Sequence, residues 1–303
     1  MTSINICFET WEASISCIGA GLQGLTLDGH AITTSYSVFE QRIGAEGDVL
    51  APFPGRINNG QYVFDGETHH LHANERAGMH AIHGFVRMLP WHVVAQSNAS
   101  VTLNLKTSPV AGYPFQLDLT ITYALNRSGL TVSTKVRNDS AVRAPFGIGY
   151  HAYFVVGTEF VDQATLSVPF SHVLEFDQLI PTGNTLPVDE LGVNFTNARP
   201  IGETVIDNCF TKGRAADDGL VYVILSGPER SLSVWMDPIA YPYCVVFTAD
   251  TLVESRRRKA LAIEPMSCAS DGFNHPEWPM TILESHSEWS GSWGISALIM
   301  DTK

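Results

Sequence analysis

The sequence is poor in basic residues, and this shortage excludes several kinds of partner. Lysine and arginine total 18 against 31 aspartates and glutamates, which gives a net charge of −13. A nucleic-acid-binding protein needs a basic surface to neutralise phosphates, so no nucleic-acid partner is expected. An anionic membrane surface is disfavoured for the same reason. A neutral small molecule such as a sugar is compatible with this charge.

Cysteine and long apolar runs are scarce as well. The five cysteines are scattered and form no C-x-x-C pair, a pattern that favours reduced thiols over a disulfide framework. No apolar run approaches the roughly 18 residues of a membrane-spanning helix. Residues 1–12 lack the basic and apolar regions of a signal peptide. These shortages together predict a cytoplasmic protein with no membrane partner.

Helix signals are few. The best candidate helix is residues 73–81, which is short and contains Gly78. Strand and helix patterns do not alternate as they do in α/β folds. Turn residues recur instead, with 25 glycines and 16 prolines in 303 residues. Because 45% of the residues are hydrophobic and no linker-like segment divides them, a single domain over residues 1–303 is predicted.

Apolar and polar residues alternate along several segments. Residues 115–125 carry an apolar side chain at every second position, which is typical of a strand with one buried face. A turn sequence follows at 126–129, and 130–136 continue the alternation, which predicts an antiparallel hairpin. Residues 101–105 and 232–236 alternate similarly. The continuous apolar run 221–225 indicates a strand buried on both faces. The predicted fold class is all-β.

Arg56 is the first candidate functional residue along the chain. It lies between glycines, just after a turn and at the start of a predicted strand. Its guanidinium offers several hydrogen-bond donors to sugar hydroxyls or to a carboxylate. The alternative is a surface arginine in a loop.

Histidines cluster shortly after this segment. The cluster contains His69, His70, His72, His80 and His83. His70, His72 and Glu75 approach the pattern of a cupin-type metal triad, but the gap to the carboxylate is short for that pattern. A metal-dependent β-fold enzyme is therefore a competing hypothesis, and no metal is our prediction. His83 stands beside Gly84, so its ring is free to reach a ligand; a buried structural histidine is the alternative.

Two later segments supply groups that transfer protons near neutral pH. His151 lies in the aromatic stretch from Gly149 to Phe154, and an imidazole both gives and takes protons near neutrality. Glu264 follows three apolar residues and precedes Pro265. Partial burial of this carboxyl would raise its pKa towards the range of a general base. The alternatives are a structural histidine and a glutamate exposed at a strand end.

Taken in order, these segments resemble the aldose 1-epimerase (galactose mutarotase) family. The matching motifs are Gly55-Arg56-Ile57, Asn74 with His83-Gly84 and Trp91, Gly149-Tyr150-His151-Ala152-Tyr153-Phe154, Ile206-Asp207-Asn208-Cys209-Phe210 and Ile263-Glu264-Pro265-Met266. The two histidine motifs together with Ile-Glu-Pro are fairly specific as a set. The resemblance implies a large antiparallel β-sandwich, the galactose mutarotase-like supersandwich, with its site in a cleft on a concave sheet.

The resemblance also implies mutarotation, in which the α and β anomers of an aldose interconvert through ring opening. Glu264 and His151 would be the catalytic residues, as general base at the anomeric hydroxyl and general acid at the ring oxygen. His83 would assist, and Arg56 and Asp207 would position hydroxyls by charge-assisted hydrogen bonds. The chemistry needs no metal or organic cofactor. The expected partner is a small-molecule sugar, and a monomer or homodimer is predicted.

Departures from the family pattern leave the sugar open. Gly55 replaces an asparagine, Ala152 replaces a proline, and Val245 aligns with a glutamine of the galactose enzymes, which argues against a galactose preference. The basic run 256–259 indicates either a solvated loop or a grip on a sugar phosphate, as in the related hexose-6-phosphate mutarotases. A non-catalytic sugar-binding protein on the same fold is the remaining alternative.

Overall fold

Two large antiparallel sheets form the framework of the protein in a computed structural model, which describes residues 3–37, 43–75 and 78–300. One sheet has nine strands and the other has eight, and a four-stranded sheet and three two-stranded ribbons accompany them in this part of the chain. The helices within the described ranges are short 3-10 turns at Asn58–Gly60, Val86–Met88, Val161–Gln163 and Gly272–Asn274.

The strands are numbered in chain order. They are β1 (Ser3–Phe8), β2 (Trp11–Ser16), β3 (Leu22–Leu27), β4 (His30–Ala31), β5 (Val49–Leu50), β6 (Arg56–Ile57), β7 (Gln61–Phe64), β8 (Glu67–His70), β9 (Ala81–Ile82), β10 (His92–Gln96), β11 (Ser100–Lys106), β12 (Leu117–Asn126), β13 (Gly129–Asn138) and β14 (Ala144–Phe146). The remainder are β15 (Gly149–Tyr150), β16 (Tyr153–Phe154), β17 (Thr165–Ser167), β18 (Phe170–Asp177), β19 (Ile180–Pro187), β20 (Arg199–Pro200), β21 (Asp207–Gly213), β22 (Val221–Ser226), β23 (Arg230–Met236), β24 (Tyr243–Phe247), β25 (Leu261–Met266), β26 (Thr281–Leu283) and β27 (Glu288–Ile299).

The nine-stranded sheet has the order β10-β11-β12-β13-β27-β23-β22-β17-β20. The eight-stranded sheet has the order β19-β18-β21-β24-β25-β15-β5, and β16 also pairs with β25. Strands β1 and β2 of the N-terminal sheet contact β11 and β12. The prediction of an all-β, antiparallel fold is therefore confirmed.

The core lies between the two large sheets, because each contributes one apolar face. On β12, alternate residues such as Leu119, Ile121 and Tyr123 are fully buried while the residues between them reach the surface. They join Val246 and Ile263 of the eight-stranded sheet in one cluster. The predicted hairpin is confirmed: β12 and β13 pair in one register through the turn after Asn126. Period-two burial on both sheets yields a sandwich.

Two local predictions are wrong. Strand β22 is buried on one face only, since Ile224 on its other face is exposed. The apolar run 221–225 simply places an isoleucine on the outer face of a nine-stranded sheet. The candidate helix at 73–81 contains no helix in its described residues, and Ala81 begins strand β9. Its residues 76 and 77 lie outside the described ranges. The segment has no apolar stripe of helical period to bury.

Candidate active site

Strand β25 is buried along its whole length, and its two faces have different surroundings. Leu261 and Ile263 point into the core between the large sheets. Glu264 and Met266, on the opposite face, line a cleft with a volume of about 660 Å³. Glu264 is only 2% exposed. Of the two interpretations of this glutamate, burial is therefore correct and exposure at a strand end is wrong.

His151 and Glu264 occupy opposite positions on neighbouring chain segments. Strand β15 pairs with β25 at Gly149, and β16 pairs with β25 at Tyr153, in one continuous register. That register sets His151 opposite Glu264, although the two are far apart in sequence. Directly opposite residues in antiparallel strands point to the same face. The fold therefore brings the histidine and the glutamate together into the cleft.

The backbone around His151 brings this pair close. Its N–H donates to the Asp48 carbonyl (3.0 Å), and its carbonyl accepts from the Gly47 N–H (2.9 Å), both on the side away from β25. Opposite residues that exchange no backbone bonds have the shorter side-chain separation in an antiparallel sheet. His151 Nε2 accordingly lies 3.3 Å from Glu264 Oε1. The two side chains are within reach of one shared proton.

Burial sets the protonation of this pair. It raises the pKa of Glu264 well above its usual value, and the Asp207 carboxylate raises it further. It lowers the pKa of His151 to about 3, with a smaller contribution from the positive charge of Arg87. His151 also stacks on Tyr153, with 5.1 Å between ring centroids. Both directions favour the uncharged arrangement of the pair, with one proton between the two groups.

His83 is held in the cleft by a strained backbone. Its φ is +63°, in the left-handed region that few residues with a side chain adopt. Its N–H donates to the Gly55 carbonyl (2.8 Å), and its Nδ1 accepts from the Gly55 N–H (3.2 Å). Burial, with the nearby charges of His151 and Arg87, lowers the pKa of His83 well below its usual value. The neutral ring therefore carries its hydrogen on Nε2 as a donor.

Gly84 makes this conformation possible. Its φ is +62°, and a Cβ at this position would lie 1.9 Å from the carbonyl oxygen of Ala51. Because only glycine fits such a close approach of two backbones, the His83-Gly84 sequence is explained physically. The ring of His83 lies edge-on to that of His151, with 5.7 Å between centroids.

Arg56 is oriented by a carboxylate. It begins β6 as predicted, and its backbone N–H donates to Ser270 Oγ (2.9 Å). Its Nε and Nη2 both donate to Glu75 Oε1, at 2.9 and 2.7 Å. Both side chains line the cleft. Such a two-donor contact to a carboxylate fixes the plane of the guanidinium. The interpretation of Arg56 as a surface loop residue is therefore wrong.

Asp207 stands at the rim of the same cleft. It is the first residue of β21 and pairs with Phe247 of β24. Partial removal of its carboxyl from water raises the pKa of Asp207. The positive charge of Arg56 offsets part of this increase, and the negative charge of Asp250 adds to it. All five residues predicted from the sequence, Arg56, His83, His151, Asp207 and Glu264, thus line one cleft.

The sequence did not identify three further residues of the cleft by role. Tyr153 supports the His151 ring, and Glu75 holds Arg56. Arg87 lines the cleft and contacts Asp48, with 3.2 Å between Nη1 and Oδ2. Two features of the sequence pointed towards these residues. Tyr153 is an aromatic residue close to His151, and Arg87 is a basic residue four positions after His83 in a chain with few basic residues. Neither signal specifies a contact.

The metal hypothesis finds no support. Glu75 is bound by Arg56, whereas His70 and His72 are exposed. Within residues 3–37, 43–75 and 78–300, no three histidine, cysteine or carboxylate side chains gather as metal ligands would. Of the other clustered histidines, His69 stacks on Tyr62 with 4.8 Å between centroids. This stacking gives His69 a structural role.

The basic run 256–259 lies apart from the cleft lining. Three of its four side chains contact carboxylates: Arg256 with Glu46, Arg258 with Asp162 and Asp250, and Lys259 with Glu159. Arg258 is the most enclosed of them, with two contacts of 2.7 Å. These contacts explain the run as surface ion pairing and do not point it at a ligand.

Comparison with known proteins identifies the same family as the sequence motifs. The sequence profile of aldose 1-epimerase matches residues 3–296. The chain belongs to the aldose 1-epimerase family. This membership confirms the predicted family, and with it an isomerase that acts on a carbohydrate substrate.

Matches to similar proteins cover most of the chain. The uncharacterized protein YihR of Escherichia coli (strain K12) is 33% identical over 275 residues, which cover 90% of this chain and 86% of YihR. The maltose epimerase of Levilactobacillus brevis is 28% identical over 261 residues, or 78% and 75% of the two chains. The structure of a GalM/aldose epimerase homologue from C. elegans has a TM-score of 0.88 at 20% identity and 99% coverage of both chains. The last comparison shows the shared fold.

No helix among the described residues is both long and apolar enough to span a bilayer.

Proposed function

We propose that this aldose 1-epimerase uses His151 and Glu264 as its acid–base pair. The observation that carries the proposal is the 3.3 Å contact between His151 Nε2 and Glu264 Oε1 inside the cleft. Mutarotation needs two proton transfers on one face of a sugar, one at the anomeric hydroxyl and one at the ring oxygen. A carboxylate and an imidazole at this separation supply both without a covalent intermediate.

Ring opening then proceeds in one balanced step. Glu264 accepts the proton of the anomeric hydroxyl, the electron pair of that O–H bond forms the carbonyl, and the bond from C1 to the ring oxygen breaks. His151 gives its proton to the ring oxygen. Rotation about C1–C2 and closure on the other face of the carbonyl reverse both transfers, and the pair returns to its starting state.

Burial acts on the charges that this step moves. Before opening, the pair that acts is a carboxylate beside an imidazolium; after opening it is a carboxylic acid beside a neutral imidazole. Burial disfavours the charged form of both groups. The charged pair that starts the step is therefore its minor form, and ring opening removes this separation of charge.

The other cleft residues bind and orient the sugar in this proposal. The neutral His83 donates from Nε2 to the ring oxygen or an adjacent hydroxyl. Arg56, held by Glu75, donates to a hydroxyl, and Asp207 at the rim accepts from one. Fixed donors of this kind contribute by positioning, since their orientation is set before the substrate arrives.

The proposed substrate is an uncharged free aldose. The ion-paired basic run lies outside the cleft lining, which weighs against the hexose-6-phosphate alternative. A non-catalytic binding protein would have no need for a buried carboxyl beside a buried imidazole, because burying such groups without function is unfavourable. The maltose epimerase among the relatives supports catalysis on aldoses. The five free cysteines support a reducing, cytoplasmic location.

Anomer exchange tests the function directly. Freshly dissolved α-glucose and α-galactose, with glucose 6-phosphate beside them, are followed by polarimetry or NMR with catalytic amounts of the protein. We expect equilibration of a free aldose well above the buffer rate. If none of the sugars equilibrates faster than in buffer, the proposal is wrong. Tight binding of a sugar without exchange would favour the binding protein instead.

A further inference from the structure

Arg258 differs from the other members of the basic run because its side chain is enclosed, with 13% exposed. All three guanidinium nitrogens donate hydrogen bonds of 2.7 Å. Nε donates to Asp162, Nη1 to Asp250, and Nη2 to the carbonyl of Gly202. These partners lie on three separate segments of the chain. A planar guanidinium with its donors in a fixed fork therefore holds the three segments in one arrangement.

One of the three segments leads to Asp207, the rim residue that accepts a hydrogen bond from the sugar in the proposed function. The segment comprises residues 202–206, and Asp207 follows as the first residue of β21. Besides the Gly202 carbonyl, the Thr204 carbonyl accepts longer contacts of 3.4 Å from Nη1 and Nη2 of Arg258. Arg258 thus sets the path of the backbone up to three residues before Asp207.

A second path joins Arg258 to the same place through side chains. Asp250 accepts from Arg258 Nη1 with one carboxylate oxygen and from the Thr248 hydroxyl with the other. Thr248 is fully buried, and its Oγ1 in turn accepts from the backbone N–H of Ile206 (2.9 Å). Ile206 immediately precedes Asp207. Because each group in this chain of hydrogen bonds fixes the next, the backbone at Asp207 is held from Arg258 by two routes.

The same network reaches the cleft. Asp250 lies close enough to Asp207 for its negative charge to raise the pKa of the Asp207 carboxyl. Thr251 and Leu252, the next two residues after Asp250, line the cleft. Arg258 itself does not line the cleft. Any effect of Arg258 on a bound sugar therefore passes through these neighbours.

We propose that Arg258 is a positioning residue for substrate binding, which fixes the Asp207 carboxylate at the rim of the cleft without touching the sugar. The proposal rests on the proposed function, in which Asp207 accepts from a sugar hydroxyl. The acid–base pair is held separately, by the pairing of β15 and β16 with β25. Loss of Arg258 therefore weakens sugar binding and leaves the proton transfers in place, so KM changes and kcat does not.

Anomer exchange by the variant Arg258→Met tests this role. Exchange of α-glucose and α-galactose is followed by polarimetry over a range of sugar concentrations, and Tm is measured by circular dichroism. We expect KM to rise about tenfold and kcat to change less than about threefold. Arg230→Met is the matched control, because Arg230 is also enclosed and donates to Glu229 and to the Ala31 carbonyl. Neither Arg230 nor its partners line the cleft, so its variant should lose Tm and keep the wild-type KM.

A double-mutant cycle shows whether the effect passes through Asp207. In the Asp207→Asn background, Arg258→Met should change KM less than about twofold, because the carboxylate that it positions is already absent. Thr248→Val breaks the second path while leaving the contact between Arg258 and Asp250 intact. This variant should also raise KM with kcat nearly unchanged, and its KM decides the question if Arg258→Met does not fold.

The outcomes separate positioning from a structural role. A lowered Tm with unchanged KM in Arg258→Met and Thr248→Val overturns the proposal. Effects of Arg258→Met and Asp207→Asn on KM that simply multiply also overturn it, because the two residues then act independently. An equal rise in KM for Arg230→Met has the same meaning, since destabilisation alone would explain it. If the wild type exchanges neither sugar, the proposed function itself is wrong, and the positioning role with it.

Discussion

Glu264→Gln separates the chemistry of the site from its packing. Glutamine has the shape of glutamate, and the side chain is enclosed at 2% exposure, so the cleft keeps its form. What disappears is the acceptor for the anomeric proton. Because the enclosed position leaves no room for bulk water to act as a substitute base, the loss falls at the upper end of the range for general-base catalysis, about 10³- to 10⁴-fold in kcat/KM. This corresponds to about 4 to 5.5 kcal/mol of barrier.

The substitution that lowers activity is expected to raise the stability of the folded protein at pH 7. Burial raises the folded-state pKa of Glu264, so at pH 7 the unfolded carboxyl ionises freely while the folded one resists ionisation. The wild type therefore loses stability as pH rises from the unfolded pKa, near 4.3, towards the folded value. Glutamine removes this penalty. We expect Tm of Glu264→Gln to exceed that of the wild type at pH 7, with the difference vanishing at about pH 4.

Two assays and one control variant test this prediction. Polarimetry gives the exchange rate, and thermal unfolding followed by circular dichroism gives Tm at both pH values. Glu67→Gln is the control, because Glu67 is exposed on β8 and does not line the cleft; its rate and Tm should match the wild type. Retention of more than about a tenth of the activity by Glu264→Gln contradicts its role as base. Lost activity with a lowered Tm at pH 7 contradicts the electrostatic argument.

The remaining predictions concern pH, substrate positioning and backbone strain. Because burial holds the pKa of His151 at about 3, kcat/KM at pH 5.5 should stay within about twofold of its value at pH 7; an acid limb centred on the ordinary histidine pKa of about 6.5 contradicts this. Glu75→Gln weakens the hold on Arg56, and steady-state kinetics should show KM rising about 5- to 20-fold with kcat changed less than about threefold; an unchanged KM removes Glu75 from substrate positioning. Gly84→Ala forces a Cβ to 1.9 Å from a carbonyl at positive φ and should lower the free energy of unfolding by more than about 3 kcal/mol in urea titration. Gly29→Ala, also at positive φ but with open space around it, should lower it by only about 1 kcal/mol.

Local features of the fold were predictable because they follow from residue alternation. The hairpin of β12 and β13 was located to within two residues, since each strand alternates without interruption. Strands β18 and β19, which contribute residues to the cleft, gave no such signal. Pro181, Gly183 and Pro187 interrupt the pattern on β19, and these residues are ordinarily read as turns.

The members of the candidate site were predictable from ordered motifs, but their contacts were not. Glu75 illustrates the limit, because its spacing from His70 and His72 indicated a metal triad whereas its partner is Arg56. The contact joins the first residue of β6 to an irregular segment, and no local pattern encodes a pairing of that kind. The opposition of His151 and Glu264 likewise depends on long-range register.

That shared register has a consequence for how the protein tolerates changes in length. Loops between β16 and β25 can gain or lose residues without moving the reacting pair, because hydrogen-bonded strands and not loop lengths set its separation. A single-residue deletion inside β25 before Glu264 acts differently, since a shift by one position turns the carboxylate into the apolar core and Pro265 into the cleft. The rate of anomer exchange recovered after refolding therefore measures the fraction of molecules in which the strands at the centre of the sheet have paired in the correct register.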